Sequence, residues 1–462
     1  MHRHAWAFVL LATACSSPPA QPTAAVTPDD PAIPRPAPRG PLTVAIPQTE
    51  PRGLVGPSGS VGIEVYRKRR RALMEKIGSG AALVTQDMEW TGDRDGMDYY
   101  YLTGIEEPGG ALVVSPTAKP YKERLFLSTR NDERDRWTGE RSILPSKALE
   151  VASGIARIGR EPALPMALLE ACDHDGGLVF VGDFVPGSFA LGKELPRGIQ
   201  LINKARERTL GFCKLKDMHG LISGMREVKE PLELELMRKA IAYTAAGHEA
   251  ALHAVHPGVR EFEVKDAIED AFRRAGSRHL AYDSITGSGP NGAVLHYPKD
   301  DRVMKDGELI VIDAAGEAEM YAADVTRTLP VGGKFTKDQR EIYEVVLAAQ
   351  KAGIAAAKAG VTVGDIDRAT RKVVEDAGYY DYYLHPCCHF VGLQVHDSGD
   401  YEAPLPANAV ITVEPGIYLP QRGFGVRIED EILITPSGAE VLTKAIPKEA
   451  DEIERRMTAP TK

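Results

Sequence analysis

Cysteine is scarce in this chain of 462 residues: there are five, with no paired spacing, which excludes a disulfide scaffold and a zinc-ribbon pattern. Also missing is an apolar run long enough to cross a bilayer core, for which about 20 residues are needed. A basic surplus is absent too, since 56 Lys and Arg face 65 Asp and Glu for a net charge of −9. Nucleic-acid binders draw much of their affinity from clustered cations on phosphates, so this balance argues against a nucleic-acid partner. One basic cluster stands out, Arg67-Lys68-Arg69-Arg70-Arg71, and it reads as the solvated face of a first helix. The remaining composition, 43% apolar and 26% charged, is that of a globular protein of two or three domains.

The first 60 residues have a different texture. A short basic start is followed by the apolar run Ala5–Ala14 and then Cys15, which fits an export signal over residues 1–15. The stretch Leu11-Ala12-Thr13-Ala14-Cys15 resembles a bacterial lipoprotein signal, with Cys15 as the lipidated first residue. Between Pro18 and Pro57 lie twelve prolines. Proline removes backbone donors and favours extended chain, so residues 16–60 read as a disordered tether. The expected address is the periplasmic face of the outer membrane through a lipid anchor, with release into the periplasm or medium as the alternative.

From residue 61 the pattern becomes globular. A helix over Tyr66–Ile77, strands at Ala81–Thr85, Leu112–Val114, Leu125–Leu127 and Gly177–Val181, and a helix over Met166–Ala171 together indicate an α/β domain over 61–220. A second domain, 225–456, opens with Pro231 at the first turn of a helix running to Val255. Further helices are expected at Glu261–Ala275 and Lys337–Ala359, and strands at Glu308–Asp313, Ala323–Leu329, Val410–Glu414 and Gly425–Thr435. That is an α+β domain with helices covering an antiparallel sheet.

Several of those strands carry an oddity. Leu309-Ile310-Val311-Ile312 ends in Asp313, Val410-Ile411-Thr412-Val413 ends in Glu414, and Asp324 and Glu429 occupy similar apolar settings. An unpaired buried charge is strongly unfavourable, so carboxylates at these positions need a partner. Asp324 follows Asp313 after a turn around Gly316, which can bring both to one sheet end. Strand periodicity puts Arg427, Glu429 and Glu431 on one side and makes Arg427 the charge neighbour of Glu429. Four carboxylates with His389 contribute −4, which two divalent ions offset. Oxygen-rich ligands favour Mn²⁺, Co²⁺ or Zn²⁺ over a pair of sites, and His389 argues against a single Ca²⁺.

At this point a family resemblance is plain. Ile285-Thr286-Gly287-Ser288-Gly289 with Leu295-His296-Tyr297, Ile312-Asp313-Ala314, Asp324-Val325-Thr326-Arg327-Thr328, His389 to Asp397, Thr412-Val413-Glu414-Pro415-Gly416 and Arg427-Ile428-Glu429-Asp430 are similar to the M24-type metallopeptidases of the pita-bread fold. Within them the match is to the Xaa-Pro aminopeptidase and prolidase branch. Asp98-Tyr99-Tyr100-Tyr101-Leu102-Thr103-Gly104 and Trp137-Thr138-Gly139 resemble its creatinase-like N-terminal domain.

The resemblance implies Asp313, Asp324, His389, Glu414 and Glu429 as ligands of two divalent ions, with Mn²⁺ the expected metal and Co²⁺ or Zn²⁺ the alternatives. It implies that Asp324 and Glu429 bridge the ions, that Asp313 completes one site, and that His389 with Glu414 completes the other. His296, His385 and His396 match histidines that hold the substrate carbonyl and stabilise charge. Arg427 and Tyr418 match residues that orient ligating carboxylates, and Glu414 matches a proton shuttle to the leaving nitrogen. The implied reaction is hydrolysis of an N-terminal Xaa-Pro bond by a metal-bridged hydroxide. A dipeptide-only prolidase is the alternative, and a homo-oligomer is expected. A metal-free creatinase-like hydrolase or a binding module fits poorly with five filled ligand positions. Pro386 departs from the family's usual glycine, so the loop carrying His385 is expected to take its own path. Cys387 and Cys388 read as small buried apolar residues.

Overall fold

The apolar run Ala81–Thr85 (β1) becomes an inner strand of a mixed six-stranded sheet. It is joined by β2 (Ala111–Val114), β3 (Glu123–Leu127), β4 (Arg157–Arg160), β5 (Leu178–Val181) and β6 (Lys214–Asp217), in the order β4-β3-β2-β1-β5-β6. β1 pairs antiparallel with β2 and parallel with β5. The computed structural model describes residues 62–86, 97–106, 109–129, 145–182, 195–208 and 213–459. The expected signal and tether, with the Trp137-Thr138-Gly139 motif, lie outside the described residues.

Because strand side chains alternate between faces, the sheet offers two apolar surfaces, and helices cover both. Ala82, Val84, Leu112 and Val114 pack with helices α1 (Ile63–Ile77) and α2 (Met97–Thr103). Ala81, Leu83 and Val113 pack on the other side with two later helices. A short helix, α3 (Lys147–Ser153), precedes those two, which are α4 (Leu164–Asp173) and α5 (Arg197–Arg208). Helix α6 (His219–Glu227) returns to the first surface through Met218 and Ile222. β4 and β6 are short and charged, and neither carries an apolar signal. Cys172 in α4 and Cys213 ahead of β6 form a disulfide 41 residues apart in sequence. This single staple is a pairing that the spacing did not disclose.

The basic cluster corrects the expectation of a solvated helix face. Lys68 and Arg71 are exposed, but Arg69 and Arg70 are 3% and 0% exposed. Arg70 donates to the carbonyls of Leu102 and Gly154 and pairs with Glu123. Arg69 stacks on the Tyr101 ring at 4.0 Å and pairs with Glu230 and Glu233. Buried guanidinium groups persist only when paired in this way.

The rest of the chain wraps helices around small antiparallel sheets. Helix α7 (Pro231–Ala254) starts with Pro231 in its first turn, as expected, and a capping box in which Glu233 accepts from the Glu230 amide at 2.9 Å. It packs on α8 (Glu261–Ala275) so closely that a Cβ on Gly247 would run into the Phe272 ring. α9 (Lys337–Ala356), α10 (Val363–Asp376) and α11 (Ala450–Met457) complete the helices. α10, with Thr362 as its N-cap, is an element that the apolar pattern did not disclose.

The strands are β7 (Ile285–Ser288), β8 (Leu309–Asp313), the two-residue pair β9 (Glu317–Ala318) and β10 (Tyr321–Ala322), β11 (Thr326–Pro330), β12 (Val410–Val413), β13 (Gly416–Leu419), β14 (Phe424–Arg427), β15 (Asp430–Thr435) and β16 (Gly438–Val441). β8 lies between β7 and β11, with Asp313 opposite both Ile285 and Thr326. The expected strand Gly425–Thr435 is in fact two. β14 pairs with β13, β15 pairs with β12, and the chain changes sheets at Ile428 and Glu429. The architecture is the one the resemblance implies, an α/β N-terminal domain followed by an α+β pita-bread domain.

Candidate metal centre

Five short segments converge on one point. β8 supplies Asp313, the segment entering β11 supplies Asp324, the residue after β12 is Glu414, and Glu429 sits at the change of sheets. His389 belongs to an extended segment bound to β12: the Thr412 amide donates to the His389 carbonyl at 2.8 Å, and the Glu414 amide to the Cys387 carbonyl at 2.8 Å. The backbone thus sets His389 and Glu414 side by side. The two cysteines beside His389 are buried as expected, with their sulfurs 3.2 Å apart and unbonded.

His389 Nε2 lies 3.3 Å from Asp324 Oδ2, 3.3 Å from Glu414 Oε1 and 3.9 Å from Glu429 Oε1. Donor atoms of Asp324, His389 and Glu429 all fall within 4.8 Å of one another. His389 Nδ1 faces the Phe390 carbonyl at 3.1 Å, and a carbonyl only accepts, so Nδ1 carries a hydrogen. In the neutral ring Nε2 then presents a lone pair to carboxylate oxygens. Lone pairs facing one another inside a protein require a cation between them, either a proton or a metal ion.

The electrostatics repeat this. Burial and the charges of Asp324, Glu414 and Asp313 push the Glu429 carboxyl well above its usual range. Asp324 is pushed up to about 6 by burial and by Asp313, against the pull of His389. His389 is driven well above the usual imidazole range by hydrogen bonds to Asp324 and Glu414, which outweigh its burial. Asp324, Glu414 and Glu429 around an imidazole lone pair, with Asp313 joined to Asp324 through Tyr282, fit divalent cations held by oxygen and nitrogen donors.

Around this core, neighbours aim the carboxylates. Arg427 Nη2 lies 2.6 Å from Asp313 Oδ2, and Arg427 Nε donates to Thr326 Oγ1 at 3.1 Å. Thr326 Oγ1 in turn donates to Glu429 Oε2 at 2.7 Å. Arg427 therefore pairs with Asp313 rather than Glu429, a correction that follows from the change of sheets. Tyr282, which sequence reasoning missed, places its hydroxyl 2.5 Å from Asp313 Oδ1 and 2.7 Å from Asp324 Oδ1. It sits in an irregular stretch before β7, where neither periodicity nor charge marks it.

The three remaining histidines occupy the open side. His385 is half-buried, while His296 and His396 are exposed. His385 Nδ1 donates to the Pro386 carbonyl at 2.9 Å, so its Nε2 accepts from the Tyr418 hydroxyl at 2.8 Å. Arg427 Nη1 donates to the same hydroxyl at 2.9 Å. Pro386 thus fixes the His385 tautomer through its carbonyl. Burial, with the charge of Arg427 and His296, lowers the His385 pKa. Burial and the neighbouring His389 lower that of His396, whose ring meets His389 edge-on at 4.3 Å. The result is a charged floor under a solvent-facing imidazole rim, in which burial favours the neutral form of His385 and His396.

Comparison with known proteins shows the family. The model of metallopeptidase family M24 matches residues 235–436, and that of the aminopeptidase P N-terminal domain matches 66–158. The chain is 35% identical to the Xaa-Pro aminopeptidase of Haemophilus influenzae over 397 residues, 78% of this chain and 87% of that protein. It is 38% identical to the Xaa-Pro dipeptidase of Pyrococcus furiosus over 352 residues, 75% and 91% of the two chains. Among solved structures, proline aminopeptidase P II of Yersinia pestis superposes with a TM-score of 0.76 at 30% identity, over 86% of this chain and 99% of that one. Zinc-substituted Escherichia coli aminopeptidase P in complex with product gives 0.75 at 30% identity, over 86% and 98%. The chain belongs to metallopeptidase family M24, its catalytic domain preceded by an aminopeptidase P N-terminal domain.

Proposed function

We propose that the protein is an Xaa-Pro aminopeptidase that removes the N-terminal residue from peptides with proline in second position. The observation that carries this reading is the lone pair of His389 set among Asp324, Glu414 and Glu429, with Asp313 tied to Asp324 through the Tyr282 hydroxyl, beneath an open rim of His296, His385 and His396. Asp313, Asp324, His389, Glu414 and Glu429 would hold two divalent ions, Mn²⁺ in the first instance, with Co²⁺ or Zn²⁺ as alternatives. When bound, such ions supply Lewis acidity, polarising the scissile carbonyl and acidifying water.

The chain's own groups do the rest. Arg427, Thr326 and Tyr282 hold the carboxylates in orientation, as partners of metal-binding groups do. Glu414, with its side chain 16% exposed, can move a proton toward the leaving proline nitrogen. His296 and His396 can donate to the substrate carbonyl oxygen on which charge develops, while His385, whose N–H is held by the Pro386 carbonyl and whose Nε2 accepts from Tyr418, shapes the rim beside them.

The 38% identity to a dipeptidase favours a second reading, a prolidase confined to Xaa-Pro dipeptides. Turnover of an Xaa-Pro dipeptide and an Xaa-Pro-Xaa tripeptide by the Mn²⁺-loaded protein separates the two. Cleavage of the tripeptide is expected, and cleavage of the dipeptide alone would overturn the aminopeptidase reading. Within the same proposal we place the protein outside the cytoplasm, lipid-anchored through Cys15 and assembled as a homo-oligomer. The Cys172–Cys213 disulfide supports an oxidising compartment. Incorporation of labelled palmitate that Cys15→Ala abolishes is the expected result.

A further inference from the structure

The segment Met225 to Pro231, which joins the N-terminal domain to the catalytic one, does more than begin a helix. Arg226 and Lys229 are 3% and 1% exposed, and both converge on Asp397, itself 5% exposed. Arg226 Nη2 bonds Asp397 Oδ1, and Lys229 Nζ lies 2.9 Å from Asp397 Oδ2. Lys229 also donates to the Arg226 carbonyl at 2.7 Å. The Arg226 guanidinium is shared further, with Asp98 Oδ1 of α2 at 2.8 Å and Gln394 Oε1 at 2.9 Å. Gly392 leaves room for this meeting, since a Cβ there would collide with Asp397 Oδ2.

Asp397 is the neighbour of His396, and its amide donates to the Phe390 carbonyl at 2.8 Å. That same carbonyl accepts from His389 Nδ1. Asp397, anchored by its carboxylate, therefore ties together both ends of the Phe390–Asp397 loop: it adjoins the rim imidazole of His396, and its amide holds the carbonyl that sets the His389 tautomer. Two cations on one anion, with Asp98 as the fourth charge, make an arrangement a single ion pair would not need.

We propose that Arg226 and Lys229 are positioning residues, which act through Asp397 to hold His396 over the metal centre and to keep the Nε2 lone pair of His389 aimed at it. Asp98, from the aminopeptidase P N-terminal domain, completes the clamp, so that domain contributes to setting the geometry of the site. The assignment rests on the proposed function for its catalytic consequence, though not for its structural one.

The test uses the Mn²⁺-loaded full chain with Arg226→Lys, which keeps the charge but loses the fork that reaches three acceptors at once. Asp98→Asn, at a partly exposed position, is the second variant should Arg226→Lys fail to fold. On an Xaa-Pro-Xaa tripeptide, kcat is expected to fall about 10- to 100-fold, as misplacement of a positioned group does, with KM within about twofold. In the chelator-treated protein labelled with ¹⁵N-histidine, the His389 and His396 ring signals, assigned by single substitutions, are expected to shift while that of His248 stays in place. Unchanged ring signals, or unchanged kcat in a folded variant of an active enzyme, would overturn the clamp. An inactive wild type would instead sink the proposed function, and the ring signals would still decide the clamp.

Discussion

Arg427 and Asp313 form a buried ion pair, 2.6 Å from Nη2 to Oδ2, which leaves Asp313 Oδ1 to the Tyr282 hydroxyl. The same guanidinium reaches Thr326 and Tyr418, so one planar cation orients a candidate ligand and two residues beside it. Arg427→Lys keeps a charge but cannot span them. Its affinity for Mn²⁺, read by isothermal titration, is expected to fall about 10- to 100-fold, and an unchanged affinity would mean that Asp313 needs no such aiming.

Tyr282→Phe removes one hydroxyl and little else. Its one proton can go to either Asp313 or Asp324, a charge-assisted bond whose loss costs about 1–3 kcal/mol. The expected outcome is a drop of roughly 5- to 160-fold in kcat/KM at that energy, measured beside a circular dichroism spectrum that matches wild type.

Glu429→Gln separates stability from activity. In the metal-free protein, the ionised Glu429 is opposed by Asp324, Glu414 and Asp313, so removing its charge relieves repulsion. Calorimetry of the chelator-treated variant is expected to show a higher Tm than wild type, while peptide turnover is lost. A variant that turns over substrate normally would count against a two-metal centre.

His248, which is not among the candidate ligands, gives a pH signature of its own. It is buried, with Nε2 3.0 Å from the Ala314 carbonyl, and burial together with Arg327 lowers its pKa from 6.5 to about 3. The unfolded chain takes up that proton near pH 6.5 and the folded chain only near 3, so stability from this residue falls as pH drops through that window. The slope is up to about 1.4 kcal/mol per pH unit. In denaturant titrations between pH 6.5 and 4, His248→Gln is expected to flatten the pH dependence by one proton's worth.

The legibility of the molecule in its sequence follows physical range. Helix α8 and strand β1 are recovered with their observed ends because periodicity and end signals act within a few residues. Asp313 and Glu414 were legible because a carboxylate closing an apolar strand is costly wherever it lies. The change of sheets at Glu429 was not, since Val426 to Ile434 has uninterrupted strand character and the switch is imposed by β12 and β13. Arg69 and Arg70 escaped because their partners Glu230 and Glu123 lie 161 and 53 residues away. Tyr282 had no local signal, and α10 is marked more by its caps than by apolar spacing.

The apolar cluster that begins at Tyr66 and Leu73 on α1 runs without interruption through Leu236, Met237 and Ile241 of α7 to Tyr321, Val391 and Val410. A cut in the chain near residue 225 would thus tear open a shared interior, and the catalytic domain produced alone would present a raw apolar wall to water. The N-terminal domain and the hydrolase therefore share one interior. The former is poorly suited to being shuffled onto another enzyme, because the surface it would need to cover there is the inside of this one.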